Sequence, residues 1–180
     1  MNLEETTVNS ALVYDGKVVK LFLDDVLIQN GEKVKRERII HPGGVGILAL
    51  TDEGDILLVK QFRYGAMQVI DEIPAGKLEP FEDPEECGRR ELYEETGYKA
   101  ASFEKLLELY PTPAYDSEKI YVYFASQLTK IDDETHLDDD EFLENIAVPA
   151  EEALRRIIKG EITDAKTVAA VMKAKLLGKF

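Results

Sequence analysis

Strand-forming residues cluster early in the chain. Val8 to Tyr14, Lys17 to Ile28 and Val34 to Ile40 read as strands, and Asp15-Gly16 and Asn30-Gly31 are hairpin turn signals between them. Three such strands form an antiparallel meander that is small for a free-standing unit. Its open edges need cover. A second copy of the chain is expected to supply it, with extension of the main sheet as the alternative. His41-Pro42-Gly43-Gly44 marks the end of this region. Beyond it, Val45 to Leu50 and Ile56 to Phe62 are apolar strands joined by Asp52-Glu-Gly-Asp55, and Val69 to Ile73 is a further extended piece. Phe103 to Leu109, Lys119 to Ala125 and Phe142 to Val148 also read as strands, with Ile120, Val122 and Phe124 on one side. Pro149 to Lys159 and Thr163 to Leu177 read as helices. In the last one Ala165, Val168, Ala169 and Met172 recur at helical spacing and are expected to face the core. The mixed order predicts an α/β or α+β domain with helices over a mixed sheet.

One more helix is predicted between these strands, and its polar residues are the informative ones. Asp83 can cap it, Pro84 suits its first position, and Glu86 completes an Asp-x-x-Glu capping pattern. Gly97 falls where a left-handed residue closes a helix. The helix therefore spans about Pro84 to Thr96. Glu91 and Glu95 lie one turn apart on one face, with Glu94 beside them. Like charges at this spacing destabilise a helix, so a positive partner is expected. Hard divalent cations fit, since they take carboxylate oxygens and keep waters and phosphates as other ligands. Arg90 can pair with Glu94, which would make it a holder of a carboxylate. Gly88, on the opposite side with Leu92, lets the helix approach whatever it packs on. The loop at Ala75-Gly76 has carbonyls that could also reach a metal.

Length and charge narrow the function. A chain of 180 residues fits one domain, or one domain with an appendage, and its 44% hydrophobic content is that of a globular protein. The single cysteine, Cys87, excludes an intramolecular disulfide framework. The start, Met1-Asn-Leu-Glu-Glu, lacks the basic residues of a signal peptide, and no apolar run is long enough to span a membrane. A cytoplasmic protein is expected. The net charge of −14 disfavours nucleic-acid binding. It is compatible with a small phosphorylated substrate, because bound metal and a few arginines can invert the local field.

From Gly76 the chain reads Gly76-x5-Glu82-x7-Arg90-Glu91-Leu92-x-Glu94-Glu95-x-Gly97-Tyr98. This fills every specified position of the Nudix box, and the chain resembles the Nudix hydrolase family. The resemblance implies an α-β-α sandwich with a mixed sheet, with residues 41–180 as the Nudix domain (box 76–98) and residues 1–40 as a β-strand region used in dimerisation. Gln61-Phe62-Arg63, Glu72-Ile73-Pro74-Ala75-Gly76, Tyr110-Pro-Thr-Pro113-Ala-Tyr115 and Asp164-Ala-Lys-Thr167 resemble segments of the ADP-ribose pyrophosphatase branch. That likeness implies Mg2+-dependent hydrolysis of ADP-ribose to AMP and ribose 5-phosphate, with Mn2+ able to substitute, and a homodimer. It implies metal binding by the Ala75 carbonyl, Glu91, Glu95 and Glu141. The catalytic candidates are Glu141, Glu94 and Arg90. The substrate contacts are Arg63, Glu72, Arg38, Pro113 and Tyr115. Glu141 matches a loop glutamate that acts as base or metal ligand in such enzymes. In this chain it ends the acidic run from His136, where Asp139 and Asp140 are the alternative bases. Two positions depart from the branch. Ala114 stands where a glycine is usual after Pro113, so the loop is expected to take a different path. Phe81 replaces a common glycine and is expected to matter little to the metal. The alternatives are a pyrophosphatase for another nucleotide sugar or dinucleotide, such as GDP-mannose, and a non-catalytic ADP-ribose sensor.

Overall fold

The computed structural model describes residues 2–131, 137 and 142–180. The chain divides into two compact units. One comprises Met1–Gly43 with Tyr110–Lys119, and the other Gly44–Leu109 with Ile120–Phe180.

The first unit is the expected meander: β1 (Thr6–Asp15), β2 (Lys20–Leu27) and β3 (Lys33–Ile40), antiparallel in that order. The middle strand begins later than its apolar pattern suggests. Gly16 to Val19 is spent on the turn, closed by the Gly16 N–H donating to the Val19 carbonyl. Gly31 sits at φ 84 in the second turn, a backbone that favours glycine. All of β1 is exposed, including Val8, Leu12, Val13 and Tyr14. Tyr110–Lys119 joins this unit through main-chain bonds. The Ile39 N–H donates to the Tyr115 carbonyl at 2.7 Å, and the Ser117 N–H to the Ile39 carbonyl at 3.0 Å.

The second unit holds β4 (Gly44–Ala49), β5 (Asp55–Arg63), β6 (Gln68–Glu72), β7 (Ala75–Lys77), α1 (Pro84–Thr96), β8 (Tyr98–Leu109), β9 (Ile120–Lys130), β10 (Leu143–Pro149), α2 (Ala150–Ile158) and α3 (Ala165–Leu176). A mixed sheet runs β7-β4-β9-β8, with β4 and β9 parallel. An antiparallel sheet runs β10-β5-β6. Alternation along the strands distributes side chains between two cores. Leu48, Ile56, Leu58, Ile120, Val122 and Phe124 pack with Ala153 of α2 and Ala170, Val171 and Ala174 of α3. Their neighbours Val45, Ile47, Ala49, Leu57, Tyr123 and Ala125 pack with Cys87 and Leu92 of α1. The β-layer is thus covered by helices on both faces, which is the α-β-α sandwich expected.

Helix α1 has the bounds its caps predict. Asp83 accepts from the Glu85 and Glu86 N–H groups at 2.9 and 3.3 Å. Gly97, at φ 71, donates to the Tyr93 carbonyl at 2.7 Å. A Cβ on Gly88 would come within 3.0 Å of the Phe103 ring. The absent side chain is what lets α1 sit on β8 and β9.

The buried face of α3 differs from the one its apolar residues predict. Ala165 and Met172 are exposed, and Lys166, Thr167, Ala170, Val171 and Ala174 are the buried set. Two polar residues in the first turn rotate the helix away from the orientation hydrophobicity alone would choose. Their partners lie in the candidate site.

Candidate active site

Glu91 and Glu95 are both seated against β7. A Cβ built on Gly76 would land on the Glu91 carboxyl group, so glycine there makes the space that the carboxylate fills. Glu95, 4% exposed, accepts the Ala75 N–H through Oε2 at 3.0 Å. Its own carbonyl accepts from Asn145 Nδ2 at 2.6 Å, tying the end of α1 to β10. Two carboxylates one turn apart therefore meet the strand that carries the Ala75 carbonyl.

Arg90 organises the remaining acids. Its Nε and Nη2 bind both oxygens of Glu82 at 3.0 and 3.1 Å, a bidentate pairing. Its Nη1 donates to Glu91 Oε1 and to Glu94 Oε2, each at 2.8 Å. The pairing with Glu94 is the one helical spacing predicts. The clamp on Glu82 comes from the box spacing and fixes the loop before α1. Hydrogen bonding from Arg90 holds the Glu82 carboxyl down to about 2 and raises the guanidinium of Arg90 in turn.

These donors fit a hard divalent cation. All are oxygens, and Glu91 and Glu95 have been brought to one strand at the cost of placing like charges together. Among the described residues no three acidic, His or Cys side chains form a closed cage.

A second cluster in the same unit centres on Glu72, which is 1% exposed. Its Oε1 accepts from Arg63 Nε at 2.6 Å, and its Oε2 from Lys166 Nζ. Lys166 also pairs with Asp164 Oδ1 at 3.1 Å. Asp164 Oδ2 caps α3 by accepting the Thr167 N–H at 2.9 Å, and it accepts the Thr167 hydroxyl. The Thr167 hydroxyl oxygen in turn accepts the Ile73 N–H at 2.9 Å. Lys166 was not among the residues picked from sequence, although its tetrapeptide was. Its chance of discovery lay in asking why a lysine sits on the buried side of a helix.

The other candidates belong to the first unit or fall outside these two clusters. In the first unit, Arg38 donates through Nε to the buried Asp24 at 2.6 Å and lies over the Phe22 ring, its side chain 42% exposed. Pro113 and Tyr115 are exposed in the Tyr110–Lys119 segment of that unit. Ala114 lies outside the left-handed region. Phe81, by contrast, does adopt it, at φ 69 with its ring fully exposed. Glu141, Asp139, Asp140 and His136 lie outside the described residues.

An acidic helix face against a short strand, with Arg90 and Arg63 in the same unit, offers the oxygen donors and cationic groups that a divalent cation and a phosphate take. The NUDIX domain model matches residues 40–171, and the chain belongs to that family of hydrolases. It is 43% identical to the ADP-ribose pyrophosphatase of Bacillus subtilis (strain 168), over 97% of this chain and 95% of that protein. It is equally 43% identical to the methanol dehydrogenase activator of Bacillus methanolicus, over 96% and 94%. A crystal structure of an ADP compounds hydrolase superposes with a TM-score of 0.86, covering 99% of this chain and 97% of that one at 23% identity.

Proposed function

We propose that this chain hydrolyses the diphosphate bond of ADP-ribose to AMP and ribose 5-phosphate, using Mg2+, with Mn2+ able to substitute. The observation that carries the chemistry is the seating of Glu91 and Glu95 on Ala75 and Gly76. The substrate is supported by the full-length relationship to a protein named ADP-ribose pyrophosphatase. Glu91, Glu95 and the Ala75 carbonyl hold the cation in this reading, with Glu141 as a further ligand or as the base. A bound divalent cation supplies charge neutralisation at the phosphates and activation of water. Arg90 fixes Glu91 and Glu94 in register. Arg63 presents its fork to a phosphate oxygen, while Glu72, expected from the sequence to contact substrate, is buried with both oxygens held by Arg63 and Lys166 and serves as the anchor of that arginine. Arg38, reaching across the dimer of this reading, is a further proposed substrate contact, as are Pro113 and Tyr115. Water adds to one phosphorus, the bridging P–O bond breaks, and the base, Glu141 or else Asp139 or Asp140, takes the proton.

The same reading makes residues 1–40 a dimerisation region and 41–180 the hydrolase domain. It is supported by the exposed apolar residues of β1. We place the protein in the cytoplasm on its single cysteine, which suits a reducing compartment. The test is incubation with ADP-ribose and Mg2+, with and without a chelator, and mass spectrometry of the products. Metal-dependent AMP and ribose 5-phosphate are expected. No turnover of ADP-ribose, with cleavage of GDP-mannose or another nucleotide sugar, would overturn the substrate. No metal-dependent cleavage of any of them would overturn the reaction class.

A further inference from the structure

We propose that Lys166 is a positioning residue for substrate binding. By holding one oxygen of Glu72, it fixes that carboxylate as the anchor of Arg63 and leaves the outer edge of the guanidinium for the diphosphate. This rests on the reading of Arg63 as a phosphate contact.

A carboxylate buried as deeply as Glu72 needs compensation. It meets two cations, Arg63 and Lys166, and Lys166 is shared with Asp164, so two carboxylates are matched by two cations. The two differ in burial: Lys166 is 8% exposed as a residue, whereas the Arg63 side chain is 41% exposed. Lys166 is the interior countercharge. Arg63 is held only along its Nε edge, and among the described residues its terminal nitrogens have no hydrogen-bond partner. A guanidinium fixed on one edge with the other open is suited to a phosphate oxygen.

The scaffold around Lys166 supports the assignment. A Cβ on Gly46 would lie 3.0 Å from Ile73 Cδ1 and in ordinary contact, at 3.6 Å, with Lys166 Cδ, so glycine in β4 leaves room for Ile73 beside the lysine stem. Asp164 pairs with the ammonium and caps α3. Thr167 bonds the main chain of Ile73, the residue after Glu72. The first turn of α3 thus reaches two consecutive residues, one by charge and one by hydrogen bond. A buried ion pair adds little to stability compared with a packed apolar pair. An apolar pair would leave Arg63 unanchored.

The test is a double-mutant cycle of Lys166→Met and Arg63→Ala in the full chain. It is read as KM and kcat on whichever of ADP-ribose and a panel of nucleotide sugars the wild type cleaves. The Kd for ADP-ribose in EDTA, where it is not cut, is measured by calorimetry. Lys166→Met is expected to raise KM and Kd about tenfold, with a smaller change in kcat, as loss of a charge-assisted contact would. Lys166→Arg should stay nearer the wild type. Adding Lys166→Met to Arg63→Ala should weaken binding no further. Full additivity of the two losses, or wild-type Kd and KM in a folded Lys166→Met variant, overturns the proposal alone. If Lys166→Met does not fold, Glu72→Gln/Lys166→Met removes both charges together. Its Kd should then match that of Arg63→Ala, and wild-type binding would overturn the proposal. A wild type that cleaves no diphosphate in the panel overturns the proposed function and this inference with it.

Discussion

Replacing Gly76 with alanine should separate folding from metal use. The added methyl falls on the carboxyl group of Glu91, the movable end of a flexible side chain. Gly76 lies outside the left-handed region, so alanine is compatible with its backbone. The strand can therefore stay in place while Glu91 swings away. Glu91 then loses its 2.8 Å contact with Arg90. For a partly exposed pair that is worth up to about 1 kcal/mol. Replacing a strand glycine returns about 0.5–1 kcal/mol. The two nearly cancel, and unfolding in urea should give a stability within about 1 kcal/mol of wild type. The effect on function is of another size. A displacement of about 1 Å in a reacting constellation can cost about a hundredfold. Turnover at saturating Mg2+ should fall by about that factor, and the midpoint of the Mg2+ titration should rise. Adding Glu91→Ala to Gly76→Ala should change little more. Wild-type turnover would show that Glu91 is not needed where the structure puts it. A stability loss of several kcal/mol would show that the backbone, not Glu91, gives way.

Three further outcomes are expected. Glu95→Gln keeps an oxygen able to accept the Ala75 N–H but loses the charge; it should melt like wild type in circular dichroism and lose most of kcat, and retained turnover would remove Glu95 from the site. The Glu82 carboxyl is depressed from 4.5 to about 2 by Arg90, so its contribution to stability is present above pH 4.5 and lost as pH falls towards 2. Denaturant melts across that window should show a shallower acid slope for Glu82→Gln, and an unchanged slope would mean the pairing does not hold in solution. Phe81→Gly removes a side chain that buries nothing and relieves a left-handed residue at about 1–2 kcal/mol, partly offset by the freedom of glycine in the unfolded chain. A small rise in the urea midpoint is expected, absent in Phe81→Ala, and a fall would show that the ring is packed.

Most of the fold was legible because local signals agreed with one another. Asp83, Pro84 and Gly97 delimit α1 by cap chemistry, and the structure gives the same bounds. Ile120, Val122 and Phe124 alternate because β9 is buried on two faces by different helices. Strand lengths were less legible. The second strand begins after a turn that its apolar residues conceal, and β8 extends back to Tyr98, where sequence places a strand only from Phe103. The left-handed backbone at Phe81 could have been inferred from the glycine usual there. At Ala114 the same inference fails, since that residue does not take the glycine conformation.

The reading of α3 failed for a reason tied to the site. Hydrophobic periodicity assumes that burial selects apolar side chains, and of the four residues it picked, Val168 and Ala169 are half-buried whereas Ala165 and Met172 are exposed. The helix is oriented instead by Lys166 and Thr167, which satisfy a buried carboxylate on Glu72 and a buried N–H on Ile73. Leaving either group unsatisfied would cost about 1–3 kcal/mol or more for the charge, whereas exposing one methionine and one alanine costs little where Ala170, Val171 and Ala174 still fill the core. Polar satisfaction therefore outweighs apolar phase in the first turn. The same Glu72 carboxylate also binds Arg63, so the burial of Lys166 is tied to that arginine. A local conflict between pattern and burial is expected where a chain has been shaped for something besides stability, and in α3 it points back to the candidate site.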